Sequence, residues 1–106
     1  MNKFKLRMAK HQRIETQRLL LRPVTLTDVE DMFEYASDEQ TSYFVFERHT
    51  SIEKTEEAIV EYFMTDPFGK FGIELKETGK MIGTIDLRVK DEKHRAIMGY
   101  TLNKML

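Results

Sequence analysis

Three successive segments in the last third of the chain alternate apolar and polar side chains with a period of two. They cover residues 71–75, 81–89 and 96–103, and a Thr78-Gly79 turn joins the first two. This alternation is typical of half-buried β-strands, so we predict an antiparallel meander. The sequence stops soon after the third segment. We therefore expect an edge strand whose backbone N–H and C=O groups need partners from outside the meander.

A β-rich segment and a first predicted helix precede the meander. The segment at residues 14–22 ends at Pro23, which cannot continue a β-ladder. The helix begins after Thr25 or Thr27, each of which offers an N-cap hydroxyl with an acidic residue three positions later. The predicted buried face of this helix consists of Val29, Met32, Phe33 and Ala36.

A second predicted helix begins at the capping box of residues 50–53 and ends near Pro67. Its predicted buried face consists of Ile52, Ile59 and Phe63. Both helices are short and amphipathic, so each needs a sheet to cover. The order β-α-α-β-β-β therefore predicts an α/β (α+β) fold, in which two helices pack on an antiparallel meander.

Length and charge limit the classes of protein to consider. A chain of 106 residues forms one domain at most, and a net charge of −1 argues against a general polyanion binder. The basic N-terminal arm, residues 1–13, carries Lys3, Lys5, Arg7, Lys10 and Arg13. We expect this arm to be solvated and partly disordered rather than bound to nucleic acid. The chain has no cysteine and no long apolar span, which predicts a cytoplasmic protein without a membrane segment.

Residue patterns alone do not assemble an active site. No spacing typical of a zinc site connects His11, His49 and His94, so we expect no metal. No glycine-rich phosphate-binding motif precedes a predicted helix. Glu74 and Asp86 lie within predicted strands on the polar side of the alternation, so we expect both to face solvent. The catalytic residues stay unknown at this level.

Three segments, taken in order, resemble a known family. Residues 14–23 read IETQRLLLRP, residues 71–85 read FGIELKETGKMIGTI, and residues 94–103 read HRAIMGYTLN. Together they look like the N-terminal half of a GNAT-fold N-acetyltransferase, in the branch that acetylates the N-termini of ribosomal proteins. The resemblance runs from Ile14 to the end of the sequence and implies a partial acetyltransferase domain at residues 14–106.

The resemblance implies that acetyl-CoA binds along the last strand. The backbone at Tyr100, Thr101 and Leu102 would hydrogen-bond the acetyl carbonyl and the pantetheine amides in the manner of an added strand. Relatives continue into a loop and helix that cradle the pyrophosphate. The sequence stops before that element, so we expect this chain alone to bind acetyl-CoA weakly or not at all. Relatives often carry a carboxylate at the position of Ile97, so no acid is assigned there as the base.

The resemblance also places the acceptor, a protein N-terminus or a small amine, near the loop between the two helices. The implied substrate-binding residues are Tyr43, Phe44, Phe46 and His49. Aromatic walls suit a substrate tail, while filling of the helix–sheet core by Phe44 and Phe46 is an equal alternative. We also expect the chain to form a homodimer through its open edge strand. A second class of function stays open, a non-catalytic module that pairs through that edge without turnover. A reading frame that continues past Leu106 would favour the enzyme.

Overall fold

A computed structural model describes residues 3–38, 48–90 and 95–103, with the side chains of residues 4, 88–90 and 95–97 outside that description. Five antiparallel strands form one sheet in chain order. They are β1 (Ile14–Glu15), β2 (Leu19–Arg22), β3 (Lys70–Leu75), β4 (Lys80–Lys90) and β5 (Arg95–Leu102). The predicted meander is confirmed as β3, β4 and β5.

Within the described residues, three α-helices accompany the sheet: α1 (Lys3–Lys10), α2 (Val29–Ala36) and α3 (Ile52–Ala58). A 3₁₀ turn at Leu26–Asp28 leads into α2, and a π-helical segment at Ile59–Met64 continues α3. A helix begins in the predicted region, but its N-cap is Ser51 instead of Thr50, the first residue of the predicted capping box, because the Ser51 hydroxyl accepts from Lys54 N–H at 3.3 Å. Helices α2 and α3 are therefore the two predicted between the first β segment and the meander.

The segment at residues 14–22 forms two strands rather than the one predicted, because Thr16 closes a tight turn between them. Its N–H donates to Leu19 O at 2.8 Å, and its hydroxyl accepts from Leu19 N–H at 2.9 Å. A short hydroxyl side chain can replace a backbone partner in this way, which favours a turn over a continuous ladder.

The basic arm contains a helix instead of the partly disordered chain that we expected. At the C-terminal end of α1, His11 N–H donates to Arg7 O at 3.1 Å, and the Gln12 side-chain amide donates to Ala9 O at 3.1 Å. The backbone carbonyls in the last turn of a helix have no partner within the helix, and these bonds provide partners for two of them. The boundary between arm and domain at residues 13 and 14 stays a prediction.

Arg22, at the end of β2, joins three elements through an ion network. Its guanidinium donates to both carboxylate oxygens of Asp28, at 2.8 and 2.9 Å, and to Glu74 Oε1 at 2.9 Å. Asp28 also accepts from Thr25 N–H at 2.9 Å, so Thr25 is the N-cap of the two predicted. The prediction that Glu74 faces solvent is wrong, because pairing of β3 with β2 brings it to Arg22.

Helices α2 and α3 pack against one face of the sheet, and a hydrophobic core lies between them and the sheet. Its buried cluster consists of Val24, Met32, Tyr35, Ala36, Ile59 and Met81. The predicted burial of Met32, Ala36 and Ile59 is confirmed, whereas Tyr35 was not predicted. Ile52 is exposed, contrary to prediction. Ile52 is the first residue of α3, and the fully buried residues of this region, Thr55 and Ile59, come later in the chain.

A β-bulge decides which β4 side chains face the helices. Ile73 lies opposite Gly83 while the next residue of β3, Glu74, lies opposite Met81, so Ile82 is an extra residue on β4. The prediction of one unbroken alternation through residues 81–89 is therefore wrong at Ile82. A one-residue shift exchanges the two faces, and it turns Met81 toward the helices together with the even-numbered residues that follow the bulge.

Two contacts fix the bulge in place. Met81 N–H donates to Asp31 Oδ2 at 3.0 Å, which ties β4 to α2. On the other side, a Cβ atom at Gly83 would lie 2.1 Å from Thr101 O, so only glycine permits β5 to approach this closely. The bulge is thus held between a helix and the last strand.

Candidate functional site

A cleft of about 380 Å³ opens between the helices α2 and α3 and the strands β4 and β5. Helical residues form one wall and strand residues the other, with Asp86 as the acidic residue of the set. The lining residues are Met32, Tyr35, Ala36, His49, Ala58, Tyr62, Phe63, Thr84, Asp86, Gly99, Tyr100 and Thr101.

Asp86 is buried in this cleft, with 8% of its surface exposed. The Tyr62 hydroxyl donates a hydrogen bond to its Oδ2. The sequence predicted that Asp86 faces solvent, and this prediction is wrong because the bulge at Ile82 turns the even-numbered positions of β4 toward the helices. A buried carboxylate beside a cavity is a common feature of functional sites. No alternation pattern could have found it, since the bulge depends on strand pairing.

The π-helical segment positions Tyr62. Thr65 N–H donates to Val60 O at 3.0 Å, a spacing of five residues that widens the turn. Tyr62 and the next residue, Phe63, both line the cleft, with their rings edge to face at 5.0 Å. Lys70 Nζ donates to Tyr62 O at 2.8 Å and lies 4.2 Å from the centre of its ring. The orientation of the phenol is therefore fixed from two sides.

His49 enters the cleft from the segment before α3. Its N–H donates to Ala36 O at 2.9 Å, and its Nδ1 lies 2.8 Å from the hydroxyl of Thr55, a fully buried residue. Burial lowers the pKa of His49 below its usual value, so the imidazole is uncharged at neutral pH. A neutral imidazole can accept a proton, in contrast to a surface histidine that titrates freely.

Tyr35, from α2, closes the inner end of the cleft. Only 2% of its surface is exposed. Burial raises the pKa of its phenol, and the nearby Thr84 hydroxyl offsets part of this effect. The hydroxyl is therefore a neutral hydrogen-bonding group throughout the physiological range. The sequence could have indicated it, because Tyr35 lies three residues after Met32 on the same helical face.

The three residues implied for acetyl-CoA divide into two orientations along β5. Asn103 N–H donates to Ile82 O at 2.7 Å, and the β4–β5 register is regular from there. By the alternation of an antiparallel ladder, the backbone of Thr101 faces β4. The backbone groups of Tyr100 and Leu102 face the outer edge of the sheet instead. Thr101 contributes its side chain to the cleft, where it is buried.

Of the four residues implied for the acceptor, the structure places His49 in the cleft. Tyr43, Phe44 and Phe46 lie outside the described residues. Within residues 3–38, 48–90 and 95–103, no group of three His, Cys, Asp or Glu side chains is arranged to hold a metal ion. The helices in the same part of the chain include none that is long and apolar enough to cross a membrane.

Comparison with known proteins connects this architecture to a family. A model of the acetyltransferase (GNAT) domain matches residues 18–106. The uncharacterized N-acetyltransferase YoaA of Bacillus subtilis (strain 168) is 35% identical over an alignment of 94 residues, and the match covers 84% of this chain and 53% of that protein.

Solved structures share the fold at lower identity. A GNAT-family acetyltransferase from Bacillus anthracis superposes with a TM-score of 0.74 at 22% identity, over 89% of this chain and 55% of that one. A Vibrio cholerae protein assigned as a ribosomal-protein-serine acetyltransferase gives a TM-score of 0.69 at 22% identity, over 88% and 55%. The chain thus spans about half the length of the relatives it matches. With the family model matching most of its residues and the five-stranded sheet matching in structure, the chain belongs to the GNAT acetyltransferase family.

Proposed function

We propose that the protein is an acetyl-CoA-dependent N-acetyltransferase that acetylates a primary amine in the cleft between α2, α3, β4 and β5. The observation that carries the proposal is the buried Asp86 carboxylate, which borders the cleft one strand away from the outward-facing backbone of β5. A carboxylate binds an ammonium group, and a strand edge binds an extended amide chain. Both substrates of an N-acetyltransferase therefore have a matching surface.

The outer edge of β5 fits the pantetheine arm of acetyl-CoA. The backbone groups of Tyr100 and Leu102 face that edge, and β5 has a strand partner on its β4 side in the described sheet. An N–H at this edge would donate to the acetyl carbonyl and stabilise negative charge on its oxygen. Acetyl-CoA, when bound, supplies an acetyl thioester. A C–N bond to the acceptor replaces its C–S bond, and the sulfur leaves as the CoA thiol with the second proton that the amine gives up.

The acceptor must lose a proton during this reaction, and two cleft residues act on it. Asp86 holds the incoming ammonium group, in an orientation fixed by the hydrogen bond from Tyr62. His49 accepts the proton, since its lowered pKa keeps the imidazole neutral and its contact with Thr55 orients the ring. The amine nitrogen can then attack the carbonyl carbon as a neutral nucleophile.

We propose a protein N-terminus as the acceptor, in preference to a small polyamine. The cleft is lined mainly by aromatic and small apolar side chains, which suit a peptide. The Vibrio cholerae structure is assigned to ribosomal-protein serine acetylation, and the ribosomal branch was also favoured by the sequence motifs. The absence of cysteine among the 106 residues agrees with a reducing compartment, and we place the protein in the cytoplasm.

The test is acetyl transfer by the intact protein to peptides and small amines, followed through release of the CoA thiol. Asp86→Asn keeps the size of the side chain and removes its charge, and we expect kcat/KM to fall by about 100-fold. Glu34→Gln is the matched control, because Glu34 lies on the exposed side of α2 beside Lys80. Transfer that Asp86→Asn leaves intact, or no transfer to any amine, would refute the proposal.

A second candidate function is the non-catalytic module that pairs with its own copy through β5. The observation in its favour is a row of exposed apolar side chains on that strand, Met98 (58%), Tyr100 (61%) and Leu102 (48%). In both candidate functions the outer edge of β5 binds a partner, acetyl-CoA in the first and a second copy of the chain in the second. Competition between these two partners therefore distinguishes the candidates. If a homodimer forms through β5, added acetyl-CoA should dissociate it in ultracentrifugation under the enzymatic proposal and leave it unchanged under the alternative.

Proline substitutions test which edge is used. Met98→Pro removes an outward N–H by the alternation of the β4–β5 ladder, so it should weaken an edge-paired dimer. Thr101→Pro removes an N–H that faces β4, so it should damage the fold of the monomer instead. Dimerisation that survives Met98→Pro would exclude edge pairing.

A further inference from the structure

The Tyr35 hydroxyl is a buried polar group that the proposed chemistry does not use. Its oxygen is shielded from solvent and forms no hydrogen bond of normal geometry with the described residues. Buried hydroxyls in folded proteins nearly always have a partner, because an unpaired one lowers stability. Since the residue lines the cleft, a molecule in the cleft is a natural partner.

Two further hydroxyls lie on the facing wall. Thr84 and Thr101 are cross-strand partners on β4 and β5, and both line the cleft. Partners in an antiparallel pair project to the same face, with Cβ atoms about 5 Å apart. The Thr84 hydroxyl is also close enough to Tyr35 to affect its phenol. Three elements thus direct neutral hydrogen-bonding groups into one part of the cleft.

The charge of the cleft restricts what can bind there. Among the lining residues that the structure describes, Asp86 is the acidic side chain, and no lysine or arginine is present. An ionised carboxylate or phosphate on the acceptor would meet repulsion from Asp86 and no cation. A neutral group that both donates and accepts, such as an amide or a hydroxyl, matches the Tyr35, Thr84 and Thr101 side chains.

Spacing along β4 links this region to the proposed amine position. Thr84 and Asp86 are two residues apart on the same face of the strand, a separation of about 7 Å. A ligand whose amine meets Asp86 can therefore reach Thr84 and Tyr35 with a group only a few bonds away.

We propose that Tyr35, Thr84 and Thr101 form a subsite for an uncharged amide or hydroxyl that the acceptor carries on the carbon next to its amine. This inference rests on the proposed function, because it describes how the acceptor of that reaction is selected. Tyr35 acts here as a specificity-determining residue. The subsite favours the first residue of a peptide over a simple alkylamine and over a free amino acid.

Four amines of similar size can be used as acceptors to determine whether the subsite binds an amide or a hydroxyl. Serinamide carries an amide and a hydroxyl, 2-aminobutanamide only the amide, 2-amino-1-butanol only the hydroxyl, and pentan-3-amine neither. With the intact wild-type protein we expect kcat/KM for the best of the first three to exceed that for pentan-3-amine by about tenfold, the effect of one hydrogen bond. The amide-only and hydroxyl-only acceptors identify which group is bound.

Tyr35→Phe removes the hydroxyl and keeps the ring. We expect this variant to lose the tenfold preference, so that the ratio of kcat/KM between the best of the first three acceptors and pentan-3-amine falls to about one. The urea-unfolding midpoint of the variant should stay the same or rise, because the removed hydroxyl is buried and its approach to the Thr84 hydroxyl falls short of a normal hydrogen bond. Tyr62→Phe is the matched control, since loss of the hydroxyl bound to Asp86 should slow all four acceptors equally. A preference that Tyr35→Phe retains, or a fall in its unfolding midpoint, would overturn the inference.

Binding of the four N-acetylated products, measured by NMR titration, separates this inference from the proposed function. If no acetyl transfer occurs but product binding depends on the Tyr35 hydroxyl, the subsite stands and the proposed reaction fails. If transfer occurs and the products bind wild type and Tyr35→Phe equally, the reaction stands and the subsite fails. If neither transfer nor hydroxyl-dependent binding is seen, both are refuted.

Discussion

Two polar clusters lie on the helix-covered face of the same sheet, and they differ in what surrounds them. At the β2–β3 side, the Arg22 guanidinium meets the carboxylates of Asp28 and Glu74 within 3 Å. At the β4–β5 side, Asp86 accepts from the Tyr62 phenol and borders a cleft of about 380 Å³. The first cluster packs opposite charges against each other, and the second places a carboxylate next to open space.

The difference separates a structural role from a functional one. A buried ion pair whose partners satisfy each other has little capacity left for a ligand, and its removal is felt in stability. A buried carboxylate beside a cavity can bind a ligand, and its removal is felt in activity. Each of the following variants therefore has an expected signature, in unfolding or in turnover.

The largest effect is expected for Asp28→Ala. This change leaves the Arg22 guanidinium with one carboxylate and removes the acceptor for Thr25 N–H. Breaking a buried pair from one side costs about 3 kcal/mol or more, so the urea-unfolding free energy should fall by that amount. Glu34→Ala, which breaks the exposed pair with Lys80, is the control and should change stability far less. Equal losses in the two variants would mean that burial of the network does not matter.

Gly83→Ala should disturb the cleft side of the sheet through the backbone. The new Cβ would lie 2.1 Å from Thr101 O, a contact that only movement of β5 can relieve. We expect a loss of about 2 kcal/mol in unfolding free energy, the usual range for overpacking. At Gly72 the nearest atom to a new Cβ is the flexible Met81 Sδ, at 2.9 Å, so Gly72→Ala should be milder. The reverse order of stabilities would contradict the observed approach of β5 to β4.

Tyr62→Phe should affect turnover more than stability. It removes the hydroxyl that orients Asp86 and leaves the ring contacts with Lys70 and Phe63 in place. We expect kcat/KM to fall by about tenfold, which corresponds to about 1.4 kcal/mol, with a smaller loss of unfolding free energy from the hydrogen bond that Asp86 no longer accepts. If unfolding is affected and turnover is not, the Asp86 cluster is structural in the same way as the Arg22 cluster.

The smallest effect is expected for His49→Gln, which should change how the free energy of unfolding depends on pH. Burial lowers its pKa in the folded state, so the unfolded chain takes up the proton first as the pH falls. Above about pH 6.5 the His49 imidazole is neutral in both the folded and the unfolded state, so it does not change the free energy of unfolding. As the pH falls from there through the lower folded-state pKa, the free energy of unfolding decreases. His49→Gln should therefore lose less stability than wild type between pH 7 and 5. Parallel curves for the two proteins would show that partial burial does not lower the pKa of His49.

The residue pattern was sufficient for the secondary structure and for much of the core. Period-two alternation located β3, β4 and β5, and the helical pattern located Met32, Ala36 and Ile59 in the core. The motifs at residues 14–23, 71–85 and 94–103 also indicated the family to which the chain belongs. These features follow from the local secondary-structure preferences of the residues and from the burial of apolar side chains. Both can be read from the order of residues in the sequence.

The candidate site depends on contacts that no local pattern contains. The bulge at Ile82 exists because β3 and β4 pair with one residue in excess, and it moves Asp86 from the expected solvent face into the cleft. The wide turn of the π-helical segment brings Tyr62 to that carboxylate. The sequence by itself therefore determined which elements form and which side chains avoid water. Only the tertiary structure decided which polar groups meet, because strand register and helix winding are set by distant residues packing together.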